Sequence, residues 1–123
     1  MKIKSVSGIV CLVEDLEVTV SFYELFGFSF RKSVPGVSAT GYVNWFWIEF
    51  LQKGQVVTEE FKEDVETSPK GAGQYIHMNV ENIDEFYAGL LEKGLQPSSE
   101  PQDFPWGHRE FVLSDPDGYK LVF

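Results

Sequence analysis

A four-residue pattern occurs twice in this chain, and the repeat constrains the fold more than any other feature. Val13-Glu14-Asp15-Leu16 recurs as Val80-Glu81-Asn82-Ile83, 67 residues further along, and the same offset carries Gly27 onto Gly94. In both places an apolar run leads into an acidic or amide residue, then an amphipathic stretch, then a glycine. Internal similarity at a fixed offset indicates two copies of one supersecondary unit.

Each copy predicts one helix with recognisable ends. Asp15 and Asn82 are well suited as N-caps, because their side-chain oxygens can accept from the free N–H groups of a first turn. Gly27 and Gly94 are typical of left-handed C-terminal stops. The helices are expected over about 16–26 and 83–93. In the second helix, helical spacing forms an apolar face from Ile83, Phe86, Tyr87, Leu90 and Leu91.

Strand-like segments follow each helix, so each half is predicted to be a β-α-β-β-β module. The segments are 28–33, 39–43 and 45–52 in the first half, and 95–98, 109–113 and 119–123 in the second. Module one covers about 1–53 and module two about 74–123. The charged, Pro- and Gly-containing segment between them, about 54–73, predicts a solvated linker. The whole chain is expected to be a single α+β domain.

The tail carries a turn with a clear physical design. In Asp115-Pro116-Asp117-Gly118 the proline fixes φ, the aspartates cap backbone groups, and the glycine allows positive φ. An aromatic segment precedes it, Pro105-Trp106-Gly107-His108-Arg109-Glu110-Phe111. Together with the repeat, the tail resembles the vicinal-oxygen-chelate superfamily, and the aromatic segment is similar to its bleomycin-resistance branch. The resemblance implies two modules forming a curved, cup-shaped mixed sheet around a ligand, often in a homodimer. A ferredoxin-like α+β domain is the alternative fold.

Charge and composition limit the kinds of partner that the chain is expected to bind. Ten Lys and Arg against nineteen Asp and Glu give a net charge of −9, which disfavours nucleic acid because phosphate contacts need a basic patch. The same charge favours cationic small molecules. The single Cys11 excludes an internal disulfide and a cysteine zinc cluster. No apolar run approaches the roughly 20 residues of a membrane span, and the start is strand-like rather than signal-like. A cytoplasmic protein is expected.

The resemblance also implies where a metal would bind. Metal-dependent members place a ligand near the start of the first strand of each module, which corresponds to Gly8 and Tyr75. Their carboxylate positions correspond to Glu49 and Val122. Glycine and valine have no donor atom, and a tyrosine phenol with a pKa near 10 is a poor ligand at neutral pH. One carboxylate does not supply the three or more donors that a protein metal site needs. We therefore expect no metal and no cofactor.

Aromatic and acidic residues define the candidate ligand site. Trp45, Trp47 and Glu49 alternate along one strand and so share a face, while Trp106 lies in the loop before the tail. These tryptophans are predicted to stack on a flat cationic or aromatic ligand, with Glu49 supplying charge. Packing in a dimer interface is the alternative role for the tryptophan stripe.

Three polar residues complete the predicted site. Tyr75 and His77 share a strand face, and His77 is predicted either to anchor a ligand or to be a hydrogen-bonded interior histidine. Arg109 is predicted to anchor a ligand, or else to pair with neighbours and fix the hairpin. His108 is expected to be exposed to solvent.

These features favour a metal-free small-molecule binding protein of the bleomycin-resistance type. It would sequester a cationic aromatic compound, such as a bleomycin-type antibiotic, without covalent chemistry. A metal-dependent lyase or dioxygenase that uses Glu49 and His77 in a rearranged site is the second hypothesis. A module that binds only another protein is the third.

Overall fold

The computed structural model describes residues 1–55 and 62–123, which divide into two compact units, Met1–Ser68 and Pro69–Phe123. The first unit contains β1 (Gly8–Val13), α1 (Leu16–Glu24), β2 (Ser29–Val34), β3 (Ser38–Val43), β4 (Phe46–Gln52) and α2 (Lys62–Thr67). The second contains β5 (Tyr75–His77), α3 (Ile83–Glu92), β6 (Gln102–Asp103), β7 (Arg109–Glu110), β8 (Val112–Ser114) and β9 (Lys120–Val122). The chain has the mixed α+β fold that the repeat predicts.

The helix ends confirm the local sequence signals. The Asp15 carboxylate accepts from the backbone N–H groups of Glu17 and Val18, and the Asn82 side chain accepts from Glu85. Gly27 and Gly94 have φ values of 84° and 78°, the left-handed conformation that ends a helix most easily at glycine. Both helices are one or two residues shorter than predicted.

The first unit is built on a four-stranded sheet of order β1-β4-β3-β2. β1 and β4 are parallel, whereas β3 is antiparallel to both β4 and β2. Alternate residues of β4 are buried, and Ile48 and Phe50 form the core side of that strand. The Tyr23 ring of α1 packs on Phe50 at a centroid distance of 4.6 Å. The helix therefore covers one face of the sheet and leaves the other for Trp47 and Glu49.

The second unit repeats this plan with shorter strands. Its main sheet has the order β5-β9-β8, with β5 and β9 parallel and β8 and β9 antiparallel. Phe111 and Phe123 exchange backbone hydrogen bonds of 3.1 and 3.0 Å, which extends the β8–β9 pairing. The rings of Phe86 and Phe123 lie 4.9 Å apart and join α3 to this sheet.

The Asp-Pro-Asp-Gly turn has the predicted geometry. Asp115 is buried, and its carboxylate accepts from the backbone N–H groups of Asp117 and Tyr119 at 2.9 Å each. Gly118 has a φ of 99°. The turn thus fixes the β8–β9 hairpin through a carboxylate whose polar atoms are satisfied inside the fold.

The structure departs from the sequence predictions at several places, and the predicted strand 109–113 is divided into β7 and β8. Residues 95–98 were predicted to be a strand but form none; Pro97 lacks a backbone N–H, although Ser98 still donates one to Val112. Leu91 was placed on the apolar face of its helix, yet it is 48% exposed. A short helix, α2, lies in the predicted linker, of which residues 56–61 fall outside the described part of the chain.

Among the residues that the structure describes, no helix is long and apolar enough to cross a membrane.

Candidate functional site

Two surfaces, one in each unit, carry most of the predicted site residues. The first is the face of the four-stranded sheet opposite α1. Its centre is Trp47, which lies between Gly8 of β1 and Tyr42 of β3 in the strand register. Glu49 lies one alternation further along, between Val10 and Thr40. We call this surface the open face of the first unit.

The indole of Trp47 lies directly over Gly8. A Cβ added at Gly8 would lie 2.2 Å from Cδ2 of the indole and 2.5 Å from two further ring atoms. Contacts this short do not occur between nonbonded carbons, which prefer about 3.5–4.0 Å. The ring can take this position only because residue 8 has no side chain.

Polar groups flank the indole on the open face. The Arg31 guanidinium lies 5.4 Å from the centroid of the Tyr42 ring, within the range of a cation–π contact. Arg31 is placed there by an irregularity in the β2–β3 pairing between Phe30 and Lys32. Glu49 is half-buried, and in the described part of the chain its carboxylate makes no ion pair.

The second surface is a cleft in the second unit with a volume of about 300 Å³. Polar and apolar residues share its wall. The lining comprises His77, Met78, Asn79, Val80, Glu81, Ile83, Gly107, His108, Arg109, Glu110, Val122 and Phe123. The cleft thus lies between the end of the first strand of the module and the aromatic tail segment.

A carboxylate with two donors stands at this cleft. His108 Nδ1 lies 2.8 Å from Glu110 Oε1, and the indole N–H of Trp106 donates to the same oxygen at 3.4 Å. Because an ionised carboxylate only accepts, Nδ1 of His108 carries the hydrogen and Nε2 is left as an acceptor when the ring is neutral. The hydrogen bond from His108 lowers the pKa of Glu110, burial opposes this, and the Trp106 bond and the charge of His77 add to the lowering. Glu110 is therefore an anion at neutral pH.

An aromatic pair stands beside the carboxylate. The rings of Phe104 and Trp106 are stacked, with centroids 4.6 Å apart and planes at 12°. A tight turn holds them, since Phe104 N–H donates to His108 and Gly107, at a φ of 87°, donates to Phe104. Trp106 is still 62% exposed.

Arg109 is held by carboxylates. Its guanidinium donates to Asp84 at 2.8 and 3.2 Å and lies 3.3 Å from Asp103. The bond to Asp84 raises the pKa of Arg109, and the same bond lowers the pKa of Asp84. This arrangement joins the first turn of α3 to β7, so Arg109 pairs with carboxylates of neighbouring elements.

Comparison with known proteins decides the family. The model of the Glyoxalase/Bleomycin resistance protein/Dioxygenase superfamily matches residues 5–123. The chain belongs to this superfamily. A comparison with curated proteins finds no match.

Solved structures of similar fold cover nearly the whole chain. An integron cassette protein from the mobile metagenome of V. cholerae is 19% identical with a TM-score of 0.75, covering 99% of this chain and 94% of its own. A lactoylglutathione lyase from Agrobacterium tumefaciens is 14% identical with a TM-score of 0.75, covering 99% and 93%. A superfamily member from Sphaerobacter thermophilus is 24% identical with a TM-score of 0.74, covering 98% and 95%. At these identities the likeness concerns the fold.

The superfamily's metal positions in this chain do not fit a metal ion. The register gives Val122 the place in the second unit that Glu49 has in the first, because Tyr75 pairs with Lys120 as Gly8 pairs with Trp47. Of these positions only Glu49 offers a strong oxygen donor, and the indole of Trp47 covers Gly8. Among the described residues, no group of three His, Cys, Asp or Glu side chains could hold a metal. At these four positions the side chains therefore do not supply the three or more donors that a metal ion needs.

The predicted site residues fall into separate positions. Trp47 and Glu49 share the open face, but Trp45 lies in the turn before β4, where it is 90% exposed. Tyr75 and His77 lie on the exposed side of β5, so His77 is not the interior histidine that the alternative required. His77 and Arg109 line the cleft, and Trp106 reaches it through Glu110.

Two groups of site residues were missed. Glu110 and His108 form the polar centre of the cleft, and Tyr42 and Arg31 flank Trp47. His108 and Glu110 are two residues apart on a strand-like segment, so their side chains share a face. This spacing was the sequence signal that could have found them. No sequence signal pointed to Arg31, because its position depends on an irregular strand pairing.

Proposed function

We propose that this protein is a metal-free small-molecule binding protein that sequesters a planar cationic compound, with bleomycin-type antibiotics as one candidate class. The main support for this proposal is the position of Trp47. Its indole covers Gly8, the position of the superfamily's first metal ligand, and it lies beside the carboxylate of Glu49. An aromatic face next to an anion suits a flat cation, which gains from stacking and from charge at once.

The proposed binding residues keep the roles that their chemistry suggests. In the first unit Trp45 and Trp47 are proposed to stack on a ligand and Glu49 to supply charge. In the second unit Trp106 is proposed to stack, and Tyr75 and His77 to anchor polar groups. Arg109 is proposed to anchor the ligand edge while its pairing with Asp84 holds the cleft wall. The proposed working form is a homodimer, in keeping with a superfamily in which dimers are common.

Tryptophan fluorescence tests this function directly, because all three tryptophans of the chain are in the proposed set. Titration with N-methylquinolinium, a planar and permanently charged probe, should quench the fluorescence and saturate. The neutral analogue N-methyl-2-quinolone should bind more weakly. Glu49→Gln should weaken binding of the cation by up to about fivefold and leave binding of the neutral analogue unchanged. Glu100→Gln, which removes an equal charge from an exposed loop, is the matched control.

Metal analysis supplies the opposing outcome. The purified protein should contain far less than one equivalent of any transition metal, and a chelator should not change the affinity for N-methylquinolinium. One metal ion per chain, or quenching that disappears with chelator, would contradict the proposal. Either result would favour the metal-dependent chemistry of the superfamily. If neither probe quenches the tryptophan fluorescence, the proposal is also contradicted.

A further inference from the structure

We infer that the open face of the first unit has an anion-binding position at Arg31, and that the preferred ligand is a planar cation that also carries a carboxylate. The inference rests on the proposed function, which it deepens by naming the class of ligand. Arg31 is not one of the predicted binding residues.

The charges of the first sheet are unlike those of the whole chain. The chain has a net charge of −9, yet no Asp or Glu lies between Glu24 and Glu49, the longest interval without one. Glu49 is the only acidic residue in the four strands of the sheet, whereas β2 contains two adjacent cations, Arg31 and Lys32. A pair of cations with no acid on its own strand or the next favours an anionic group.

An irregular strand pairing brings Arg31 to the open face. The pairing of β2 with β3 shifts between Phe30 and Lys32, which leaves Arg31 opposite no residue of β3 in the register. An extra residue of this kind changes the direction of a side chain, and such irregularities are over-represented next to active sites. The guanidinium lies 5.4 Å from the centroid of the Tyr42 ring, and Tyr42 pairs with Trp47 in the sheet.

The Arg31 guanidinium contacts a ring but no carboxylate. Among the described residues none forms an ion pair with it, whereas Arg109 of the second unit is paired with Asp84 and Asp103. A guanidinium that rests on an aromatic ring still has N–H donors along its planar edge. Because Arg31 is exposed, these donors are open to a ligand. Carboxylates match them through two parallel hydrogen bonds.

The strand order separates the anionic and cationic positions of this face. Glu49 lies on β4 and Arg31 on β2, with β3 between them. Neighbouring strands are about 4.8 Å apart, so two strand spacings amount to about 10 Å. A fused two-ring cation near Glu49, with a carboxylate on its far ring, would extend across β3 toward Arg31.

Two probes that differ in one group test this position by tryptophan fluorescence. The first is N-methylquinolinium with a carboxylate on its carbocyclic ring, and the second has a neutral carboxamide at the same carbon. The wild type should bind the carboxylate probe up to about fivefold more tightly than the carboxamide probe. In Arg31→Gln this preference should disappear, while the affinity for the carboxamide probe stays the same.

Two further variants control for charge and for geometry. Lys93→Gln removes an equal charge from an exposed position of the second unit, and it should keep the preference for the carboxylate probe. Arg31→Lys keeps the charge but loses the planar set of donors, so it should keep only part of the preference.

The outcomes separate the two proposals. If neither N-methylquinolinium nor the two substituted probes bind, the proposed function and this inference are overturned together. If N-methylquinolinium binds but the wild type does not prefer the carboxylate probe, only this inference is overturned. An equal loss of affinity for both substituted probes in Arg31→Gln also overturns it, because Arg31 would then act by packing on Tyr42. A preference that disappears in Arg31→Gln and remains in Lys93→Gln supports it.

Discussion

Gly8 decides what the open face of the first unit can hold. Glycine has no donor atom, and on this ground the sequence predicts that the superfamily's metal site is incomplete. The indole above it was not predictable. That contact depends on the pairing of Gly8 with Trp47 across parallel strands, and the register of a sheet is set by the whole hydrophobic pattern rather than by either residue.

The close approach predicts an unusual response to Gly8→Ala. The backbone there does not have positive φ, so alanine meets no conformational penalty and only the indole opposes its Cβ. We expect a loss of about 1–3 kcal/mol, typical of overpacking, in urea unfolding. In a Trp47→Ala background, Gly8→Ala should instead be neutral or stabilise by about 0.4–1 kcal/mol.

Gly89 provides the matched comparison for that experiment. It lies inside α3, and nothing is within 4 Å of an added Cβ. Gly89→Ala should therefore stabilise the protein by up to about 1 kcal/mol. If Gly8→Ala and Gly89→Ala have similar effects, the indole does not occupy the space above Gly8 and the argument for ligand stacking there loses its support.

Among the helices and strands, the sequence located the helix ends, which depend on local hydrogen bonds. It misplaced a strand segment of the second unit, because strands depend on pairing with distant residues. Caps and glycine stops located both main helices, because their hydrogen bonds are made within a few residues. Residues 95–98 were predicted as a strand, but a strand needs a partner along its length. Residues 109–110 pair instead with β6, in the loop that follows the missing strand.

The bond between α3 and β7 predicts a pH dependence of stability. Arg109 lowers the pKa of Asp84 below its ordinary value of 3.8. A carboxylate with a lowered pKa in the folded state stabilises the protein above its unfolded value, and this contribution is lost as pH falls through the folded value. Asp84→Asn should lower the melting temperature by about 1–4 °C at neutral pH, and the difference should vanish well below pH 3.8.

Glu85→Gln is the control, because Glu85 lies in the same first turn, near the same end of the helix dipole, and its carboxylate has no ion-pair partner among the described residues. Its effect should be smaller at neutral pH. Equal effects of the two substitutions would assign the stabilisation to the helix end rather than to Arg109.

For the whole molecule, the repeat was the decisive signal. Two copies of one supersecondary unit, one per half, are what the structure contains, and local sequence located each. What the sequence could not supply is the identity of the ligand, because the open face and the cleft are assembled from residues far apart in the chain. The resemblance of the tail segment to a known family indicated the class of protein. The polar centre of the cleft, in contrast, was found only in the structure.

The proposed homodimer leads to a final prediction about charge. β1 and β5 each lie at an edge of their sheet, and edge strands offer backbone groups for pairing with another chain. Each chain also carries −9, so two copies repel one another. At about 0.01 M salt the screening length is about 30 Å, and this repulsion spans an interface; at about 0.15 M it is about 8 Å.

Sedimentation should therefore show a dimer of 14.0 kDa chains that strengthens as salt rises. A monomer at every salt concentration would contradict the dimer, whereas a dimer that weakens with salt would mean that opposite charges, not edge strands or apolar surface, hold the two copies together.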